Sequence, residues 1–208
     1  MGRAEGDDMP TSNILYPCMQ CADIFFLRAD ICQLGLDQRK VNMLAREYCD
    51  ANKSATKPVI ISHHMLSGIK KGALKMSKSD PDTAIFMEDS VEDVNRKIKK
   101  AFCEEKDITT NPILEYCRYV ILPALESITI VLKDKSEKVY TDYVKLEADF
   151  ASGDVHPGDL KPAVTSCVNK LLQPVRDHFK NDAYARELLA TIKGWNDDLA
   201  KQKAAQAQ

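Results

Sequence analysis

A segment rich in lysine and serine is the part of the sequence best suited to chemistry. It reads Lys75-Met76-Ser77-Lys78-Ser79 and lies between Gly72 and Pro81. Its ammonium groups, hydroxyls and backbone N–H groups can all donate hydrogen bonds to phosphate oxygens. A mobile cationic loop can hold charge as it develops on those oxygens and then release it. A solvated basic turn would have the same composition, so composition alone leaves both interpretations open.

A second candidate site lies near the start of the sequence. Residues 14–27 are mostly apolar and predict a buried helix, with Pro17 in its first turn. Tyr16, Gln20 and Asp23 follow one another at steps of four and three residues, which places them on one helix face. Polar side chains in a buried helix are costly unless they have partners. They therefore either bond neighbouring elements or line a pocket for a small molecule.

Strands and a helix are predicted around both candidates. Residues 29–35 predict a short strand ending at Gly35, and residues 57–64 predict another core strand directly before the lysine segment. The helix predicted from Asp37 to Cys49 has an apolar inner stripe. The stripe consists of Val41, Leu44, Ala45 and Tyr48. Gln38 lies at the strand-to-helix turn, and ligands of open α/β sheets bind at the carboxyl ends of strands.

The remainder of the chain is predicted to be helical. A capping box at Ser90 opens a helix whose cations are all expected to be exposed, either to solvate the surface or to contact an RNA backbone. These cations are Arg96, Lys97, Lys99 and Lys100. From Asn111 onward the pattern is all-helical, and its clearest helix begins at Asp159.

The bulk composition excludes several classes of protein. The 208 residues carry a net charge of −2 and 44% apolar residues, so no global basic field indicates binding to DNA. No apolar run has the length of a membrane span and no signal peptide is recognisable, so we expect no membrane association. Seven cysteines indicate a reducing cytoplasm. Cys18 and Cys21 are expected to be buried free thiols, and no metal site is predicted.

Four motifs in order resemble the eukaryotic and archaeal type of tyrosyl-tRNA synthetase, a class I aminoacyl-tRNA synthetase. They are Tyr16-Pro17-x-x-Gln20-x-x-Asp23, Gly35-Leu36-Asp37-Gln38-Arg39-Lys40, Lys75 to Ser79, and His156-Pro157-Gly158-Asp159-Leu160-Lys161. A tryptophanyl relative would share the lysine segment but not the set of tyrosine, glutamine and aspartate. The resemblance spans residues 13 to about 195.

The resemblance implies a fold and a domain order. The expected class is α/β, with the C-terminal half of a Rossmann-like parallel-sheet domain followed by a small all-helical anticodon-binding domain. The corresponding ranges are a disordered lead-in at 1–12, the partial catalytic domain at 13–105, the helical domain at 106–200 and a frayed tail at 201–208.

The resemblance also implies the site residues. Tyr16, Gln20 and Gln38 would hold the ammonium of tyrosine, and Asp23 would accept a hydrogen bond from its phenolic hydroxyl. Lys75 and Lys78 would act in catalysis by stabilising the leaving pyrophosphate. The ATP-binding set would be Lys75, Met76, Ser77, Lys78 and Ser79, with Mg²⁺ as the companion of ATP and no tightly bound metal. His156 and Asp159 would read the first anticodon base, although Asp159 also suits a helix N-cap and His156 a loop.

Two departures from the family pattern shape the expected function. The family has an upstream half with a second ATP motif, and only 15 residues precede Tyr16 here. The family's anticodon-stacking aromatic is also missing from residues 135–139, with Tyr140 as a candidate substitute. Half a parallel sheet predicts an open edge and an uncovered apolar face.

The sequence therefore predicts a tyrosine–tRNA ligase chain that acts on tyrosine, ATP and tRNA(Tyr) and is inactive alone. It would be completed by a homodimer or by a partner chain that supplies the other half. The alternatives are a non-catalytic tRNA-binding protein and a structural half of a split or duplicated synthetase.

Overall fold

The computed structural model describes residues 10–54, 56–73, 75–77 and 80–206. These residues divide into two compact units, the first ending at Met65 and the second beginning at Leu66. Each unit has its own buried apolar cluster. The domain boundary near residue 105 stays a prediction.

The first unit contains two helices and two parallel strands. Its elements are α1 (Thr11–Phe26), β1 (Ile31–Gly35), α2 (Arg39–Ala51) and β2 (Val59–His63), with a 3₁₀ turn at Leu36–Gln38. Strand β1 pairs with β2 in parallel, from Ile31 opposite Val59 to Gly35 opposite His63. The expected α/β class with a parallel strand pair is confirmed. The 3₁₀ turn follows the carboxyl end of β1, where α/β sheets bind their ligands.

The two strands leave large apolar side chains in water, as expected for half of a sheet. Ile31 is 63% exposed, Val59 is 54% exposed and Ile61 is 47% exposed. Contiguous exposed apolar surface of this kind marks an interaction surface in soluble proteins. The prediction of an uncovered apolar face is confirmed.

Helix packing in the first unit differs from the sequence prediction at several points. Helix α1 was expected to be buried, but among its residues only Cys21 and Ile24 are. Helix α1 begins at Thr11, so Pro17 lies inside the helix rather than in its first turn, and it cannot donate the usual bond to the carbonyl four residues earlier. The buried face of α2 consists of Asn42, Ala45 and Cys49, whereas Tyr48 is 52% exposed. Cys18 is a free thiol as predicted, but it is exposed.

The second unit is built from helices and one β hairpin. Its elements are α3 (Val91–Lys100), α4 (Pro112–Tyr116), α5 (Leu122–Leu125), β3 (Ile128–Val131), β4 (Glu137–Tyr140), α6 (Tyr143–Ser152), α7 (Pro157–Asn181) and α8 (Ala183–Gln206). A π turn at Cys117–Ile121 joins α4 to α5. One large core combines the inner faces of α3 to α7, including Ile98, Leu114, Ile130, Phe150 and Val164.

The hairpin corrects the prediction that the chain is all-helical from Asn111. Strands β3 and β4 pair antiparallel, with Ile128 opposite Tyr140. Ile128 and Ile130 are buried while the residues between and after them are exposed, which is the alternation of a strand with one covered face. Lys135 lies in the connecting turn with φ +67°, and the Asp134 carboxylate accepts a bond from the Ser136 N–H at 2.9 Å.

Helix α3 confirms its predicted cap and corrects one of its predicted surface cations. The Ser90 hydroxyl accepts a bond from the Asp93 N–H at 3.0 Å, as the capping box requires. Lys97, expected on the solvated face, is instead buried against Asp89, with Nζ to carboxylate distances of 2.8 and 2.7 Å. A charged side chain is tolerated in such a position because it is paired there.

Helix α7 confirms the helix predicted from Asp159 and begins two residues earlier, at Pro157. Helix α8 continues to Gln206, into the range predicted as a frayed tail. None of the helices in the described part of the chain is both long enough and apolar enough to cross a membrane.

Candidate functional site

The first group of predicted site residues meets around a glutamine pair in the first unit. Gln20 Nε2, from the middle of α1, donates a bond of 2.9 Å to Gln38 Oε1. Gln38 Nε2 in turn donates to Asp37 Oδ2 at 2.9 Å. The structure thus joins two predicted substrate ligands that lie 18 residues apart, and it adds Asp37, which the sequence analysis had not singled out as a site residue.

The tight turn at the end of β1 positions Gln38. A Cβ atom on Gly35 would collide with Met65 Sδ and come within 2.7 Å of Asp37 Oδ1. Both are flexible side chains that can shift, and the φ of −62° suits any residue, so the close approach shows a compact turn rather than a strict need for glycine. The turn can thus carry Asp37 and Gln38 directly beyond the strand end.

The remaining members of this group are open to solvent. Tyr16 is 52% exposed and Asp23 is exposed, both on α1 with Gln20. The Gln20 side-chain oxygen is buried and has no hydrogen-bond partner among the described residues. A buried acceptor without a partner costs about 1–3 kcal/mol, which a donor from a ligand would offset. The Gln20 oxygen can therefore accept a bond from an ammonium group, and the exposed Asp23 carboxylate lies on the same helix.

The lysine segment is held in the second unit by a network of its own. Lys70 Nζ donates to both Asp80 oxygens at 2.7 and 2.8 Å, and Ser77 forms an isolated antiparallel bridge with Asp80. The Ser77 N–H donates to Thr83 Oγ1 at 3.0 Å, and that hydroxyl donates to the Asp80 carbonyl at 2.7 Å. Ser77 is therefore tied to Asp80 and Thr83, which follow the segment in sequence.

Individual side chains of the segment face different surroundings. Met76 packs against the apolar core of the second unit, whereas Lys75 is exposed. An anchored methionine next to an exposed ammonium suits a loop whose charge is offered to a ligand. Lys78 and Ser79 lie outside the described residues.

Glycines and a buried threonine also shape this segment, and sequence analysis did not single out Gly68, Asp80 or Thr83. A Cβ on Gly68 would come within 2.6 Å of Ala73 Cβ and 2.9 Å of the Lys75 carbonyl. Thr83 is only 6% exposed. The Asp-Pro pair at residues 80 and 81 is a known turn signal and could have indicated Asp80.

The predicted anticodon residues lie at the start of α7 in the second unit. His156, not Asp159, is the N-cap, because its Nδ1 accepts a bond of 2.9 Å from the Gly158 N–H. Its Nε2 lies 3.9 Å from Glu105 Oε2. Asp159 occupies the first turn, where its charge complements the helix dipole. The carboxylate of Asp159 is therefore not used as the cap.

Tyr140 cannot serve as the substitute for the missing stacking aromatic in this structure. Its ring is 1% exposed, and its hydroxyl donates a bond of 2.7 Å to Asp149 Oδ2. That bond lowers the pKa of Asp149. The candidate substitute proposed from the sequence is therefore wrong, because Tyr140 belongs to the core.

Ion pairs between side chains surround the lysine segment. Among the described residues, no group of three or more His, Cys, Asp or Glu side chains is placed to hold a metal ion. Next to the lysine segment, the Arg96 guanidinium donates to Asp82 at 2.8 Å and lowers the pKa of that carboxyl. Asp82 is therefore ionised at neutral pH.

Comparisons with known proteins agree with these motifs. Residues 1–173 match the family model described as tRNA synthetases class I (W and Y). The chain is 57% identical over 197 residues to tyrosine–tRNA ligase 1, cytoplasmic, of Arabidopsis thaliana, covering 94% of this chain and 51% of the relative. The chain therefore spans about half the length of that relative.

Solved structures show the same similarity. The Leishmania major tyrosyl-tRNA synthetase in complex with tyrosinol has 50% identity and a TM-score of 0.80, over 89% of this chain and 37% of that one. The tyrosyl-tRNA synthetase of Aeropyrum pernix has 37% identity and a TM-score of 0.80, over 92% of this chain and 56% of that one. These relatives confirm the resemblance to tyrosyl-tRNA synthetases that the motifs indicated. The family model matches most of the chain, so the chain belongs to the class I tRNA synthetases of the tryptophan and tyrosine group.

Proposed function

We propose that the chain is part of a tyrosine–tRNA ligase, which activates tyrosine with ATP and transfers it to tRNA(Tyr). Its first unit would supply one wall of the tyrosine pocket and its second unit the lysine loop and the anticodon contacts. The location would be the cytoplasm, which the name of the Arabidopsis relative also states.

The glutamine pair is the observation that carries the proposal. Gln20 donates its N–H to Gln38, which leaves the Gln20 oxygen without a partner among the described residues. An ammonium group has three donors and no acceptor, so it matches an unpaired oxygen, whereas a carboxylate ligand would not. A small rotation of the Gln20 side chain would bring that oxygen to the ammonium of a bound amino acid. Asp23, on the same helix and exposed, would then accept from the phenolic hydroxyl.

The lysine loop would act on the phosphates of MgATP, which is a substrate of this reaction. The tyrosine carboxylate attacks the α-phosphorus, the bond to the bridging oxygen breaks, and pyrophosphate leaves with the negative charge. Lys75 and Lys78 would stabilise that charge, and Met76, Ser77 and Ser79 would complete the ATP contacts. The exposure of Lys75 beside the anchored Met76 supports this role.

Contacts to tRNA and to another chain complete the proposal. His156 and Asp159 would meet the first anticodon base. His156 would use Nε2, since its Nδ1 caps the helix, and Asp159 would use its carboxylate, which does not cap the helix. The exposed apolar side chains of β1 and β2 support a homodimer or a partner chain that covers them. A protein that only binds tRNA is less favoured, because it has no use for the glutamine pair.

A chimeric enzyme tests the proposed function. Residues 10–206 would replace the corresponding segment of the Arabidopsis ligase, and tyrosine-dependent exchange of labelled pyrophosphate into ATP would be measured. We expect exchange by the chimera and none by the isolated chain, whose Tyr16 and Asp23 remain open to water. Lys75→Ala should reduce the rate roughly 100- to 1,000-fold, the usual effect of removing one group that stabilises developing charge.

Asp23→Ala, compared with Lys75→Ala, separates the amino-acid site from the ATP site. Asp23→Ala should lose the preference for tyrosine over phenylalanine, because the unpaired acceptor that penalises phenylalanine is gone. Lys193→Ala, on the exposed helix α8, is the matched lysine control and should leave exchange unchanged. A chimera that folds but shows no tyrosine-dependent exchange would refute the proposed function.

A further inference from the structure

A cationic cavity lies beside the lysine loop, and apart from Lys70 its lining is separate from the candidate site. It has a volume of about 390 Å³ and opens widely to solvent. Its walls come from the loop before the lysine segment, from the end of α3 and from α7. The charged residues that line it are Lys70, Lys71, Lys100, Lys161 and Glu104. Four ammonium groups thus face a space with a single carboxylate.

Two of the four ammonium groups are already engaged by the protein. Lys70 is bonded to Asp80, and Lys161 Nζ donates to the Lys99 and Ala101 carbonyls at 3.1 and 2.7 Å. The second interaction matters for anion binding, because the C-terminal end of a helix carries partial negative charge. The Lys161 ammonium offsets the partial negative charge of the carbonyls at the end of α3, which forms part of the cavity wall. This helix end therefore repels an anion less.

The other two ammonium groups are held more weakly, since Lys71 is engaged only at the surface, in an ion pair with Glu104. The side chain of Lys71 is 77% exposed and lies 3.8 Å from Glu104, with its Nζ 5.2 Å from the centre of the Phe102 ring. Lys100 is exposed and forms no hydrogen bond or ion pair within the described part of the chain. Four ammonium groups around one cavity with a single carboxylate repel one another, and an anion in the cavity would reduce that repulsion.

We infer that this cavity binds a phosphodiester of the RNA backbone, with Lys100 and Lys71 as its main contacts. The inference rests on the proposed function, which supplies tRNA(Tyr) as the RNA. Lys161 lies two residues after Asp159 on α7, and Glu105, next to the cavity residue Glu104, lies 3.9 Å from His156. The cavity therefore adjoins the first turns of α7, close to the helix end that carries His156. The chain has no global positive charge, so local sites such as this one must supply the backbone contacts.

Salt dependence of RNA binding tests the inference directly. Fluorescently labelled tRNA(Tyr) transcript would be titrated with the 208-residue chain, its Lys100→Ala variant and the control Lys193→Ala between about 50 and about 200 mM salt. Loss of one phosphate contact should reduce the slope of log K against log salt by about 0.7–0.9 and weaken binding about fivefold near 150 mM. Lys71→Ala should have the same effect, and Lys193→Ala should have none.

The outcomes distinguish this site from the other proposals. Equal slopes for the wild type and Lys100→Ala, or no binding of the transcript by the wild type, would overturn the inference. Competition by inorganic phosphate beyond its ionic-strength effect, without a change of slope in Lys100→Ala, would assign the cavity to a free anion and also overturn it. Pyrophosphate exchange does not use tRNA, so the Lys100→Ala chimera should retain it. A failure of exchange therefore bears on the proposed function alone.

Discussion

The buried ion pair between Lys97 and Asp89 gives the strongest single test of the packing in the second unit. Lys97 Nζ donates to both Asp89 oxygens at 2.8 and 2.7 Å, and the two side chains are only 3% and 9% exposed. The same ammonium lies 4.6 Å from the centre of the Phe86 ring, and the Phe86 N–H donates to Asp89 Oδ2 at 2.9 Å. The pair thus joins α3 to the loop before it.

Lys97→Met removes the ammonium while keeping a long side chain of similar helix propensity. Asp89 then keeps only the Phe86 N–H as a donor to its carboxylate among the described residues. Breaking a buried pair in this way typically costs about 3–5 kcal/mol, because an uncompensated charge stays buried. Arg96→Met is the matched control on the preceding residue, since the Arg96–Asp82 pair is 41% and 43% exposed. It should cost far less, because exposed ion pairs are screened by water and contribute little.

Urea unfolding followed by circular dichroism would give the free energy of unfolding of each variant. A loss for Lys97→Met no larger than that for Arg96→Met would refute the reasoning, because the pair would then behave as solvated. The double variant Lys97→Met with Asp89→Leu should be more stable than Lys97→Met alone, since it removes the unpaired charge. A further loss in the double variant would assign the damage to packing around the methionine instead.

Two further predictions concern acidic groups of the second unit. A hydrogen bond from the Thr110 hydroxyl helps to hold the pKa of Asp107 at about 2 in the folded protein, below its pKa in the unfolded chain. The ionised carboxylate therefore stabilises the fold at pH values above the unfolded pKa, and this stabilisation is lost as pH falls through about 2. The difference in Tm between the wild type and Asp107→Asn should shrink from about pH 5 to about pH 2, and a constant difference would contradict this. Tyr140→Phe removes the bond to Asp149 and should cost about 1–3 kcal/mol in urea unfolding. The control Tyr184→Phe, at a side chain 70% exposed, should cost nothing measurable, and equal losses for both would contradict the bond's role.

Features set by local sequence were predictable from the chain alone. The Ser90 cap depends on residues within one helical turn, and β1 and β2 are short apolar runs that end at turn residues. The set of polar residues on α1 was visible because helical spacing places them on one face. Its link to Gln38 was accessible only through resemblance to a family, since the two glutamines are separated by 18 residues.

Features set by tertiary contacts could not be predicted in this way. Arg96 and Lys97 are adjacent cations in one helix, and nothing in their local sequence indicates that one is exposed and the other buried. The difference arises because Asp89 folds back onto α3 at the side where Lys97 lies. His156 was missed as the N-cap for another reason, since an imidazole is a rare cap and the aspartate three residues later is a common one.

Unpaired polar atoms are distributed unevenly between the two units. In the described residues, the buried side-chain atoms without a hydrogen-bond partner are the Gln20 oxygen and both amide atoms of Asn42, all in the first unit. The buried polar side chains of the second unit, such as Lys97 and Asn111, are bonded. Each unpaired atom costs about 1–3 kcal/mol, and the exposed faces of β1 and β2 forgo apolar burial as well. Binding of tyrosine at Gln20 and of another chain at the strands can return part of this stability, whereas the Asn42 amide is fully buried in α2 and lies at neither surface.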